Sequence, residues 1–114
     1  MRRSRGAWRP ALAAATVALC PAVAVAGGDI AEGRRIAGQC GVCHGMNGIA
    51  QVPDAPNIGG ENAFYLERQL RLFRSGERQH PQMSIIAQGL SDEDIANVAA
   101  YYAAIVIEVV SVPE

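Results

Sequence analysis

Residues 39–45 read QCGVCHG, which sets Cys40 and Cys43, two of the chain's three cysteines, against His44. Several chemistries compete for this spacing. A structural zinc ion needs four ligands closing a tetrahedron. The other histidine, His80, lies 36 residues further on, and the adjacent Cys43 and His44 sit poorly on one ion. A thioredoxin-like dithiol belongs in a βαβ setting, whereas the flanking sequence reads as helix. A plain disulfide leaves His44 without a role. Covalent haem attachment uses every residue: each thiol adds across one porphyrin vinyl group, and Gly41-Val42 lets the backbone turn so both sulfurs reach one edge. His44 then offers a ring nitrogen to iron.

A second constraint comes from the N-terminus. Arg2, Arg3, Arg5 and Arg9 precede an apolar run, Ala11 to Ala26, that closes on Ala24-Val25-Ala26. A basic start, an apolar run and a small-x-small end predict a secretory signal peptide over 1–26, cleaved after Ala26. The run is short for a membrane-spanning helix and is broken by Pro21. Trp8 and Cys20 would leave with it. The expected mature domain, 27–114, carries six arginines, no lysine and eleven carboxylates, a formal charge of −5. Such a surface argues against nucleic acid, which demands a concentrated basic footprint. A chain this short buries a modest core, and a haem would supply part of it.

Three main helices are expected, with no strand pattern of useful length, so the fold class is all-α. The first spans about Asp29–Gln39 and leads into the cysteine cluster. The second spans about Asn62–Ser75, with Leu66, Leu70 and Phe73 at helical spacing, Glu67 placed to pair with Arg71, and Gly76 as a stop. The third opens on the capping box Ser91-Asp92-Glu93-Asp94 and carries the stripe Ile95, Val98, Ala99, Tyr102 and Val106 toward Ile107. The β-branched run 106–112 can fray its end. The segments 45–60 and 76–89, broken by glycine and proline, read as loops. Arg68, Arg71, Arg74 and Arg78 fall three or four apart on the second helix and read as a solvated face balanced by Glu67 and Glu77.

Haem iron held by one histidine has a second axial position. Left open it binds gases or peroxides; filled, it suits electron transfer. Met46 is two residues from His44, too close for the chain to carry it to the opposite face. Met83, beyond the second helix and stiffened by Pro81, is the expected sixth ligand, with His80 the other candidate and otherwise a solvated loop residue. A proximal histidine needs its Nδ1 satisfied, commonly by a backbone carbonyl; Pro56 is the first choice and Pro53 the second.

Cys40-Gly41-Val42-Cys43-His44-Gly45, then Pro56-Asn57-Ile58-Gly59-Gly60, then Met83 before Gly89-Leu90-Ser91-Asp92-Glu93-Asp94-Ile95, together resemble a class I cytochrome c. The likeness is to small bacterial periplasmic monohaem forms and to single lobes of two-haem cytochromes of the c-four type. It implies a cytochrome c fold wrapped around one haem c with iron, held by Cys40 and Cys43 and ligated by His44 and Met83. It further implies first and last helices crossing near the haem edge, with Gly33 permitting close approach and Tyr101 or Tyr102 packing there. Ala37 departs from the family, which often has an aromatic at that position, so a weaker contact is expected. The function implied is periplasmic one-electron transport between redox partner proteins. No small-molecule substrate, catalytic residue or enzyme activity is expected, and membrane contact comes only through partners. The alternatives are a haem subunit of a larger oxidoreductase, such as a sulfide-oxidising flavocytochrome, and a gas-binding or peroxidatic haem protein.

Overall fold

The computed structural model describes residues 27–114; the expected leader, with Trp8 and Cys20, lies outside them. Four helices follow in order: α1 (Ile30–His44), α2 (Ala63–Ser75), α3 (Met83–Gln88) and α4 (Asp92–Ala103). Among the described residues there is no strand, and no helix is long and apolar enough to cross a membrane.

Each long helix starts where a short polar side chain can satisfy orphan amides. The Asp29 carboxylate accepts from the amides of Ala31 and Glu32, and Asn62 Oδ1 accepts from Tyr65. Ser91 and Asp94 form the reciprocal capping box expected of them. Gly76, at φ 83°, takes the left-handed conformation that stops α2. The expected pair forms within α2, with Arg71 Nη1 2.9 Å from Glu67 Oε2.

The α1–α4 crossing organises the molecule. A Cβ on Gly33 would lie 2.0 Å from the Asn97 carbonyl oxygen, so only glycine allows the backbones this close. The Asn97 side chain, almost fully buried, accepts from the Asp29 amide at 2.7 Å and ties the entry of α1 to α4. Ala37 is wholly buried in this seam, and the crossing closes without an aromatic there. Ile36, Leu66, Leu90, Ile95, Val98, Ala99 and Tyr102 complete the core. Removing Ile95, fully buried, from water contributes roughly 1.5–3 kcal/mol. Helix α2 rests on α4, while α3 packs on α2 alone among the helices.

Three boundaries differ from the sequence expectation. Helix α1 runs five residues further, through both cysteines to His44. Helix α3 lies in a segment expected to be loop. Helix α4 stops at Ala103, before Ile107, because the Gly60 amide donates to the Tyr102 carbonyl at 2.9 Å and occupies the helix end. The β-branched residues that follow are poor helix formers, and 106–112 takes neither helix nor strand.

Candidate functional site

A cavity of about 500 Å³ opens beside α1, α2, α3, α4 and the loop 52–58. That lies within the usual range of ligand pockets, roughly 300–1,000 Å³. Cys40, Cys43, His44 and Met83 all line it, so the fold brings the four predicted site residues to one space. His80 lines it too; Met46 does not.

The helical extension of α1 sets the spacing of the first three. Residues i and i+3 are neighbours on a helix surface, which keeps Cys40 and Cys43 side by side as free, half-buried thiols. Burial pushes the Cys40 thiol up to about 11, so it is held neutral. His44 is the last residue of α1 and is buried. Its Nδ1 lies 2.8 Å from the Pro56 carbonyl oxygen, as the sequence led us to expect. A carbonyl can only accept, so Nδ1 carries the ring proton. Nε2 is then the unprotonated nitrogen, able to ligate a metal.

The loop behind His44 is held by backbone bonds and by two tyrosines. Gly45, at φ 73°, turns the chain out of α1. The amides of Ile58 and Gly59 donate to the Gly48 carbonyl at 2.8 and 3.0 Å, and the Gln51 amide donates to Cys43 O at 2.7 Å. These bonds fold Pro56 back toward His44. From α4, the Tyr102 hydroxyl donates to Gly45 O at 3.1 Å and the Tyr101 hydroxyl to Met46 O at 2.8 Å. Burial, with a smaller effect from Cys40 and Tyr101, pushes the Tyr102 phenol well above its ordinary value, so it remains a proton donor. The two rings meet edge to face, with centroids 5.2 Å apart. Sequence reading placed these tyrosines at the crossing but not their bonds to the loop, which have no local sequence signal.

On α3, Met83 is the first helical residue and is half-buried. His80 departs from the expected solvated residue. Its Nδ1 accepts from the amides of Gln82 and Met83 at 3.2 and 3.3 Å, and its ring meets Phe73 of α2 edge-on. Helix α2 ends at Ser75, so Arg78 lies beyond it and the expected four-arginine face does not form on one helix. Three of these arginines find partners beyond those expected. Arg71 and Arg74 both reach Asp92 on α4, Arg74 Nη1 donates to Leu90 O at 3.0 Å, and the Arg78 guanidinium lies 4.5 Å above the Phe73 ring. Glu77 instead accepts from the Ser75 hydroxyl.

The lining suits a flat apolar macrocycle carrying a metal. Val52, Ile58, Leu66, Leu70 and Ile86 supply apolar walls, and the donor atoms offered are two thiols, an imidazole nitrogen and a thioether. Among the described residues no group of three His, Cys, Asp or Glu side chains could hold a bare metal ion. The two thiols, imidazole nitrogen and thioether around an apolar cavity fit a haem, with iron supplied inside the ring.

Comparison with known proteins points the same way. The family model for cytochrome c matches residues 30–104. Cytochrome c-554(548) of Halomonas halodenitrificans is 46% identical over 78 residues, which cover 66% of this chain and 94% of that protein. Cytochrome c4 of Pseudomonas aeruginosa is 38% identical over 81 residues, 71% of this chain but only 40% of the relative. The crystal structure of reduced recombinant cytochrome c4 from Pseudomonas stutzeri superimposes with a TM-score of 0.61 at 26% identity. That match covers 69% of this chain and 52% of the other. The chain thus spans nearly all of one relative and about half or less of the c4 proteins.

Proposed function

The chain belongs to the cytochrome c family, whose members bind haem c covalently, and on that premise we propose that it is an exported, periplasmic one-electron carrier. Cys40 and Cys43 would hold the haem through thioethers, and His44 and Met83 would ligate its iron. When bound, the haem supplies a one-electron iron couple; no substrate bond is made or broken, so the reading assigns no catalytic residue and no enzyme activity. Redox partner proteins serve as donor and acceptor. Export rests on the signal-like pattern over 1–26.

One observation carries the ligand assignment: two histidines line the cavity in opposite hydrogen-bonding states. At His44, Nδ1 donates to Pro56 O and Nε2 is left to ligate. At His80, Nδ1 accepts two backbone amides, so the neutral ring keeps its proton on Nε2. Ligation through that nitrogen would require the other tautomer and would break both bonds. Met83, whose thioether has no competing proton, is the better sixth ligand, and a soft sulfur favours the ferrous state.

The chain's contribution is rigidity. The Pro56 carbonyl fixes the plane and tautomer of His44, the two tyrosines fix the loop behind it, and the apolar walls limit water. A site whose ligands stay in place reorganises little when charge changes, which keeps the barrier to electron transfer low.

The test is a set of visible and near-infrared spectra of holoprotein matured in a host that attaches haem. A near-infrared methionine-to-iron charge-transfer band is expected in the ferric protein, with no carbon monoxide binding to the ferrous protein at neutral pH. Met83→Ala should lose the band and bind carbon monoxide. A colourless product with two free thiols overturns the cofactor assignment; a band that survives Met83→Ala overturns the sixth ligand.

A further inference from the structure

We propose that His80 is a positioning residue for Met83, acting as an imidazole cap that fixes the start of α3 and so holds the thioether at the cavity. The proposal rests on the reading of Met83 as the sixth ligand.

Four hydrogen bonds join residue 80 to the next turn. Its ring Nδ1 accepts from the amides of Gln82 and Met83, at 3.2 and 3.3 Å. Its carbonyl accepts from the Ser84 amide at 3.1 Å, and its own amide donates to Ser84 Oγ at 3.0 Å. The arrangement works like a reciprocal capping box, except that the side-chain acceptor is an imidazole two residues before the N-cap. The N-cap itself, Gln82, makes no side-chain bond to the helix. A six-residue helix cannot stand on its own hydrogen bonds, since its first amides have no partner inside it. His80 supplies what Gln82 does not.

The cap is itself anchored. Pro81 follows it and restricts its backbone to the extended region. Its ring meets Phe73 edge-on, with centroids 6.4 Å apart, and Phe73 is buried on α2. Arg78 stacks on the same Phe73 ring and donates to Gln69 Oε1. Position is thereby passed from α2, through Phe73 and His80, to the backbone of Met83. Among the described residues helix α3 packs against no helix but α2, and Phe73 with His80 joins α2 to the point where Met83 begins.

The experiment uses ferric holoprotein and imidazole as a competitor for the sixth position. His80→Ala should bind imidazole about tenfold more tightly than the parent, weaken the methionine-to-iron band and lower the midpoint potential. His80→Asn, whose side-chain carbonyl can accept from the same amides, should stay within about threefold of the parent. Met83→Ala separates the two readings: if it changes neither the band nor imidazole binding, Met83 is not the ligand and the premise fails. If Met83→Ala acts but His80→Ala matches the parent in both, the cap has no hold on the ligand and the proposal is overturned. Long-range proton–nitrogen spectra of the unaltered ferrous protein give a check that needs no variant. A His80 ring protonated on Nε2 supports the cap, and one protonated on Nδ1 overturns it.

Discussion

On the α1 side of the cavity, Cys40, Cys43 and His44 end a fifteen-residue helix whose other end crosses α4 at Gly33. Pro56 O receives the His44 proton, and Tyr101 and Tyr102 hold the next two carbonyls from α4. On the α3 side, Met83 opens a six-residue helix whose only helical neighbour among the described residues is α2 and whose first amide, with that of the N-cap, donates to one imidazole. Ile85, two residues on, is 72% exposed, whereas Ile95 on α4 is fully buried. The difference separates a candidate ligand that the fold holds from one that it only presents. His44 is fixed by the core and Met83 by local capping, so on the ligation proposed above the bond on the α3 side should be the first to yield.

The comparison breaks most readily at the crossing. Gly33→Ala would drive a methyl into the Asn97 carbonyl, against backbone that cannot rotate away. We expect a loss of about 3 kcal/mol or more, the upper end of overpacking costs, read as a fall in thermal midpoint. Ile85→Ala, on the exposed face of α3, should stay within about 0.5 kcal/mol of the parent. Equal losses at the two positions would show that the α3 side shares the core's stability.

The same contrast governs what could be read from the chain alone. The α1 side was legible because its chemistry is contiguous: Cys40, Cys43 and His44 are neighbours in sequence, and the proline-rich loop narrowed the carbonyl partner to Pro56 or Pro53, of which Pro56 takes the place. The capping box at Ser91 and the stop at Gly76 are local signals, and both stand. Helix α3 was not legible because its cap lies outside it, on a residue that serves equally well as a ligand or a solvated side chain. The early end of α4 was hidden for a related reason, since the Gly60 amide arrives from 42 residues away. A short polar N-cap writes itself into sequence; an imidazole cap, or a partner arriving from a distant loop, does not.

A sharper version of the contrast concerns the loop behind His44. Tyr102→Phe keeps the ring in the core but removes the donor to the buried Gly45 carbonyl. The Gly45 carbonyl keeps the Gly48 amide at 3.1 Å, so the loss is that of one hydrogen bond, roughly 0.5–1.5 kcal/mol. Because that bond joins α4 to the helix end carrying His44, the loss should appear in global unfolding. Chemical denaturation that leaves the midpoint unchanged would mean that the loop is held by its own backbone bonds and owes nothing to α4.

The smallest effect expected lies where α2 meets the start of α4. Arg74, with a lesser contribution from Arg71, holds the Asp92 carboxyl below the usual carboxylate range, and the backbone and hydroxyl of Ser91 do the same for Asp94. A depressed carboxyl contributes stability that is fully present above its unfolded value, about 3.9. That stability is lost as pH falls through the lower folded value. Acid should therefore loosen the α2–α4 junction below about pH 4. Both carboxylates are exposed, so salt should weaken the same link at neutral pH. Asp92→Asn removes the charge that Arg71 and Arg74 share, and its unfolding should depend less on salt and acid than the parent's. The α1 side is tied to its loop through backbone carbonyls that neither treatment titrates. A variant with the parent's acid and salt response would place the sensitivity elsewhere and remove charge from the account of how α2, and with it α3, is held to the core.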